Sequence, residues 1–277
     1  MSLFITSLNS GSNGNCYYVG NVKEAILVDA GISCREIEKR MRRLGLSMQK
    51  IKAVFVSHEH IDHVKGICSL IKKYQIPVYI THPTLIACGF SIEENLVKPF
   101  STDAPVNIGD LTITAFSKLH DACDPCSFVV EYQQIKVGVF TDIGVACKNL
   151  ISQFQQCNAA FLEANFDEEM LDKGNYPYFL KRRITGGNGH LSNKQALELF
   201  TQYRPSFMSH LILSHLSKNN NCPKLVQQLF NEQAGGVKMI VASRYEETAV
   251  YHIHSVARLR PVTAKTISPA QLAFAFA

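Results

Sequence analysis

The stretch Ser57-His58-Glu59-His60-Ile61-Asp62-His63 follows directly on the apolar run Ile51-Lys52-Ala53-Val54-Phe55-Val56. A run so rich in β-branched and aromatic residues reads as a strand, which places the cluster where the chain leaves a sheet. In extended backbone, residues two apart point to the same side, so His58 and His60 can share one ion. Asp62 and His63 come at the turn into a helix expected over His63 to Tyr74, and that turn can aim them at a second, adjacent ion. Imidazole and carboxylate together suit Zn²⁺, Mn²⁺ or Fe and not Ca²⁺, which prefers all-oxygen shells. A solvated loop that happens to be rich in histidine has no reason to keep ligand-type residues at motif spacing.

The same pattern recurs along the chain. Strands are expected at Leu3 to Leu8, Tyr17 to Gly20, Ala25 to Val28, Ile51 to Val56, Val78 to Thr81, Leu111 to Phe116, Ser127 to Tyr132, Val137 to Phe140, Ala159 to Leu162, His210 to Leu213 and Lys238 to Val241. Several end in a potential ligand: Asp29, His58, His120, Asp142, Glu163 and His215. Polar groups gathered at strand ends build one cleft along a sheet rim. Helices are marked by Ser33 with Glu36 three residues on, a capping-box spacing with Gly45 as the stop, and by Ser192 with Gln195. Cys222 to Gln233, with Pro223 in its first turn, is a further helix.

Composition narrows the class. The chain has 277 residues, 46% hydrophobic and 18% charged, with a formal net charge of +5. That describes a globular protein with ample core and a mildly basic balance compatible with an anionic substrate. The start, Met1-Ser2-Leu3-Phe4-Ile5-Thr6, has no signal-peptide pattern, and no apolar stretch approaches the ~18 residues of a membrane span. Nine scattered cysteines, an odd number, read as reduced thiols in a cytoplasmic protein. Cys123 and Cys126 form a lone C-x-x-C without the second pair a tetrahedral zinc site needs.

Taken together, the His-x-His-x-Asp-His run, the aspartate after an early strand, the later lone His120, Asp142 and the C-terminal His215 resemble the metallo-β-lactamase-fold hydrolases. More narrowly, Asn9-Ser10-Gly11-Ser12-Asn13-Gly14-Asn15, the segment Glu163 to Leu171, Lys181-Arg182-Arg183-Ile184, Gly189-His190-Leu191-Ser192-Asn193 and His215 to Asn220 resemble the YycJ/WalJ family of bacterial metal-dependent exonucleases. The resemblance covers about residues 1 to 254. It implies an α/β fold, a four-layer αββα sandwich with a dinuclear site at one edge, taken as one domain over 1–260 with a tail at 261–277. Carried over position by position, it implies His58, His60 and His120 on one ion, Asp62, His63 and His215 on the other, and Asp142 bridging them. Asp29 would orient a ligand histidine from behind. Two divalent ions, Zn or Mn, are the implied cofactors, and DNA degraded 5′ to 3′ the implied substrate. Phe166 departs from the pattern, since relatives often carry His there.

Such a pair of ions lowers the pKa of water and clamps substrate oxygens. The catalytic residues are then Asp62, Asp142 and His190, the last as proton donor to the leaving oxygen. His190 lies two residues before Ser192, the N-cap of a helix whose free N–H groups favour an anion. Ser10, Ser12 and Asn15 sit in a glycine-rich segment able to present backbone N–H groups to a phosphate. Lys181, Arg182, Arg183 and Lys218 could track a nucleic-acid backbone, with Tyr176 and Tyr178 near enough to stack on a base. The competing readings are a small-substrate hydrolase on the same scaffold, cleaving a cyclic phosphodiester, thioester or lactam, and a non-catalytic binding protein. A scaffold without chemistry has little use for seven converging ligands.

Overall fold

The period-two alternation in the strands assigns every side chain to a layer. In β3 (Ala25–Val28), Ile26 and Val28 face one way and Ala25 and Leu27 the other; in β4 (Ile51–Phe55), Ala53 and Phe55 face inward and Val54 outward. All four residues of β3 are buried, because such a strand is covered on both faces. The computed structural model describes residues 2–102 and 104–255; the expected tail at 261–277 lies outside them.

The strands form two seven-stranded sheets. The first comprises β1 (Ser2–Asn9), β2 (Cys16–Gly20), β3, β4, β5 (Val78–Tyr79) and β6 (Val97–Lys98), with a late strand added beside β1. The second comprises β7 (Val106–Ile108), β8 (Leu111–Ser117), β9 (Cys126–Tyr132), β10 (Ile135–Phe140), β11 (Ala159–Glu163), β12 (His210–Ser214) and β13 (Lys238–Val241). The late strand is β14 (Tyr251–His254), antiparallel to β1 with Leu3 opposite Ile253. From β3 to β6, and from β10 to β13, neighbours run parallel; the remaining pairs are antiparallel. Residues such as Leu3, Tyr17, Val28 and Phe55 meet Phe128, Val130, Val137 and Phe161 between the sheets. Helices Cys34–Arg43 and Ile67–Tyr74 cover the first sheet. Lys148–Phe154, Asn193–Tyr203 and Pro223–Asn231 cover the second. This is the αββα sandwich.

Four expectations need correction. The helix expected from His63 to Tyr74 is two helices, Ile61–Val64 and Ile67–Tyr74. Gly66 separates them: its N–H reaches Ala30 O at 2.7 Å, and a Cβ there would fall 2.0 Å from Ile32 O. The Ser33 capping box is half formed, with Ser33 accepting from Glu36 N at 3.3 Å while the Glu36 carboxylate turns to Arg40 at 3.0 Å. At Ser192 both halves are present. The short strands β6 and β7 and the C-terminal β14 had no counterpart in the expected set. Nor did the helices His82–Cys88, Lys148–Phe154, Glu168–Lys173 and Tyr178–Thr185.

One backbone contact ties this framework to the ligand cluster. A Cβ on Gly31 would lie 1.7 Å from Asp62 O and 2.6 Å from Asn15 N, both main-chain atoms that cannot swing aside. Gly31→Ala is expected to destabilise the fold by about 3 kcal/mol or more, measured as a lowered urea midpoint at unchanged slope.

Candidate metal centre

The carboxyl ends of strands from both sheets deliver the cluster, three of them through a backbone that most side chains avoid. Asp29 follows β3, Asp142 follows β10 past Thr141, and His215 follows β12, with φ of +61°, +55° and +58°. Left-handed backbone costs roughly 1–2 kcal/mol at a non-glycine residue, and persists where surrounding bonds over-determine it. Here they do. Asp29 accepts from Ser57 N and Ser57 Oγ, both at 2.8 Å, and from His63 Nδ1 at 2.7 Å. The backbone N–H of His215 donates to Ser10 Oγ at 2.7 Å. That of Asp142 donates to Glu163 Oε1 at 3.2 Å.

The imidazoles of His58, His60 and His120 surround one point, with ring centroids 4.6, 4.9 and 5.2 Å apart. Their ligand nitrogens lie within 4.8 Å of one another. Asp62 Oδ2 stands 3.5 Å from both His63 Nε2 and His215 Nε2, a second triad. Asp142 lies between them: Oδ2 is 3.2 Å from His63 Nε2, and Oδ1 is 3.3 Å from His215 Nδ1 and 3.8 Å from His120 Nε2. The structure thus brings all seven expected ligands together, and none of His82, His210, His252 and His254 joins a ligand group among the described residues.

Whether this set suits a metal can be judged from its hydrogen bonds. Buried polar atoms are normally paired. Among the described residues, His120 Nε2, Asp142 Oδ2 and His215 Nε2 are buried without a hydrogen-bond partner, although each lies near a carboxylate or imidazole, His120 Nε2 standing 3.3 Å from Asp121 Oδ1. The opposite nitrogens are occupied: His120 Nδ1 by Gly189 O at 3.1 Å and His215 Nδ1 by Glu163 Oε1 at 2.9 Å. That is how protein groups behind a metal-binding histidine fix its open nitrogen. Divalent cations fit this donor set.

Charge leads to the same place. Asp29, Asp142 and Glu163 are buried, and Asp62 is partly so. Burial holds His58 well below the ordinary imidazole range, with His63 and Lys118 adding to it, and burial brings His120 down to about 4. Burial also opposes charge on His63 and His215. Asp142, Asp29 and Asp62 outweigh it at His63, raising that group well above its usual value. Asp142, Asp62 and Glu163 outweigh it at His215, raising it to about 10. Conversely, burial favours neutral carboxyls, yet facing imidazoles hold Asp62 and Asp142 below the usual carboxylate range and Glu163 at about 2. Without an ion, protons on His63 and His215 offset the carboxylates. A cation would displace them.

Glu163, marked in the sequence only as a potential ligand at a strand end, organises half the site. Its two oxygens accept from the N–H groups of Asp142, Ile143 and Leu191 and from Nδ1 of His190 and His215. His190 Nδ1 is 2.9 Å from Glu163 Oε1, and its ring centroid is 5.2 Å from those of His120 and His215. It lines a cavity of about 380 Å³ together with His60, Asp62, His120, Asp142 and His215. A larger, more open hollow of about 700 Å³ along Pro223–Asn231 holds no ligand cluster.

The expected substrate contacts divide. Ser12 and Arg183 line the cavity, with Arg183 paired to Asp121 at its mouth. Ser10, Asn15 and Ser192 are buried and committed elsewhere. Ser10 bonds Tyr17 OH and His215 N. The Asn15 amide donates to Asp62 Oδ2 at 3.1 Å and lies 3.0 Å from His63 Nε2. Gly11 N is taken by Asn15 Oδ1 and Gly14 N by Gly11 O, so these N–H groups of the glycine-rich segment brace the loop behind the ligands instead of facing a phosphate. Ser192 N is taken by Gln195 and Ser192 Oγ bonds Glu168, which closes that helix start to a phosphate. Lys181, Arg182 and Lys218 do not line the cavity. Phe166 is buried and its carbonyl accepts from Asn193 N.

A family model described as a beta-lactamase superfamily domain matches residues 24–216. The exodeoxyribonuclease YycJ of Bacillus anthracis is 32% identical over 249 residues, which are 86% of this chain and 92% of that one. The exodeoxyribonuclease WalJ of Streptococcus pneumoniae is 30% identical over 253 residues, 87% of this chain and 94% of that one. The metallo-beta-lactamase fold protein YhfI from Bacillus subtilis superposes with a TM-score of 0.71 at 16% identity, covering 91% of this chain and 100% of that one. That likeness speaks for the fold.

Metal addition provides a direct check. Zn²⁺ or Mn²⁺ added to chelator-treated protein is expected to raise Tm by about 5 °C or more. Asp142→Ala should abolish both the rise and the metal retained in elemental analysis.

Proposed function

The chain belongs to the beta-lactamase superfamily and, within it, to the YycJ/WalJ family, and from that premise we propose that it degrades DNA from an end, 5′ to 3′, by hydrolysing phosphodiester bonds. It is a metal-dependent hydrolase. The observation that supports the finer reading is the pairing of His190 with Glu163 beside seven converging ligand-type residues, five of which line the same cavity as His190. Likeness to two exodeoxyribonucleases over most of the chain supports it. Nine free thiols are at home in a reducing cytoplasm.

In this reading His58, His60 and His120 would hold one divalent cation and Asp62, His63 and His215 the other, with Asp142 within reach of both sets. Zn²⁺ or Mn²⁺ held there supplies Lewis acidity, making water a better nucleophile and offsetting charge that builds on the phosphate oxygens. Asp62 and Asp142 line the cavity and are placed to accept a hydrogen from the attacking water. As its oxygen adds to phosphorus, the bond to the leaving oxygen breaks. His190 supplies that oxygen's proton. Glu163 can only accept, so His190 Nδ1 donates to it, and Nε2 is left for the substrate. Asp29 acts through His63, fixing which of its nitrogens faces the ions.

His190→Ala is expected to lower turnover on end-labelled DNA by about 10²–10⁴-fold with bound metal unchanged in elemental analysis. Loss of metal in step with activity would make His190 a ligand instead. A metal-loaded protein that leaves 5′- and 3′-labelled DNA intact while cleaving a thioester would overturn the nuclease reading.

A further inference from the structure

The helix Tyr178–Thr185 has no buried residue, although it lies against the cavity. Leu180, Arg183 and Ile184, at helical spacing, form part of the cavity wall. At the start of the same helix, Tyr178 and Phe179 are 75% and 73% exposed, the most exposed large apolar side chains among the described residues. Adjacent bare aromatic rings are costly to leave in water without a partner to cover them. Their surroundings are basic. The Arg182 guanidinium lies 5.9 Å from the Tyr178 ring centroid, and Lys181 and Arg183 flank it in sequence.

An occupant of this surface must therefore carry flat faces, carry negative charge and be continuous with whatever enters the cavity. Single-stranded nucleic acid meets all three requirements, because aromatic rings stack on bases and cations track phosphates. A paired duplex does not, since its base faces are already covered by their neighbours. Resting on the phosphodiesterase reading above, we infer that Tyr178 and Phe179 form a stacking platform for unpaired bases. The structure thereby selects a single-stranded end, or a duplex end that frays, as the form of substrate that reaches the ligand cluster. Arg182 and Arg183 supply charge to the adjoining phosphates, with Arg183 reaching them from the cavity wall.

The test compares binding by the metal-loaded wild type and a Tyr178→Ala/Phe179→Ala variant. The probes are a fluorescein-labelled, cleavage-resistant phosphorothioate single strand and its blunt duplex, read by fluorescence anisotropy. Both rings are exposed, and circular dichroism melting verifies that the variant folds. The inference requires single-strand affinity to fall about tenfold or more with duplex affinity within about twofold. Tyr178→Trp/Phe179→Trp should restore single-strand binding. Unchanged single-strand affinity, or equal losses on both probes, overturns the platform while leaving the nuclease reading standing if the wild type still degrades DNA. A wild type that neither binds nor degrades either form of DNA removes both.

Discussion

The carboxylate of Asp142 sits 2% exposed between imidazoles from both sheets, and the rest of the site follows from the need to compensate it. A lone buried carboxylate would simply take up a proton. This one does not, because His63 on one side and His215 on the other hold it ionised. The first sheet contributes Asp29, His58, His60, Asp62 and His63 from the ends of β3 and β4. The second contributes His120, Asp142, Glu163 and His215 from the ends of β8, β10, β11 and β12. Any cation bound among them links the two sheets at their rim. The aromatic layer of Phe55, Phe128 and Phe161 beneath sets how far apart those rims stand. Ligand spacing is thus a property of core packing, and core volume and metal affinity are coupled.

Behind the ligands stands a layer of neutral and acidic groups that removes their freedom. Ser57 and Asp29 together fix His63, and Ser57 Oγ also meets His58 Nδ1 at 2.9 Å. Glu163 does for His190 and His215 what Asp29 does for His63. One carboxylate behind each half of the site makes the two sheets chemically parallel. The strained backbones at Asp29, Asp142 and His215 belong to the same design: each places a side chain at the strand end where a relaxed residue would turn it away.

How legible this was from sequence depended on how far apart the interacting residues lie. His58, His60, Asp62 and His63 lie within six positions, so local backbone geometry, extended for the first pair and turning for the second, was enough to group them. The apolar runs marked strands and helices by their periods, whereas the αββα layering came from the resemblance to the metallo-β-lactamase-fold hydrolases. Ser10 and Asn15 were misread as an anion loop because their partners are remote: His215 is 205 positions from Ser10, and Asp62 is 47 from Asn15. Glu163 carried the same strand-end signal as Asp142, but nothing local showed that His190 and His215 would converge on it. The break at Gly66 was hidden because its cause is the carbonyl of Ile32, an atom every residue has. The strand β14 was missed for a related reason, since its pairing with β1 closes the chain on itself.

What distinguishes one hydrolase on this scaffold from another must then lie away from the rim. Residues such as Asp142 and Glu163 are bound from every side, and changing any of them disturbs several ligands at once. One helix in the segment between β11 and β12 is less constrained. That helix, Tyr178–Thr185, has no buried residue, and its cavity-facing residues meet the site through the Arg183–Asp121 pair and through the Ile184 carbonyl, which accepts from His190 N at 2.9 Å. A surface that contributes little to folding is free to be shaped by the substrate, and its exposed rings are tolerable only if something covers them during the enzyme's work. The reaction is therefore set by the strand ends, and the choice of substrate by a helix the core does not need.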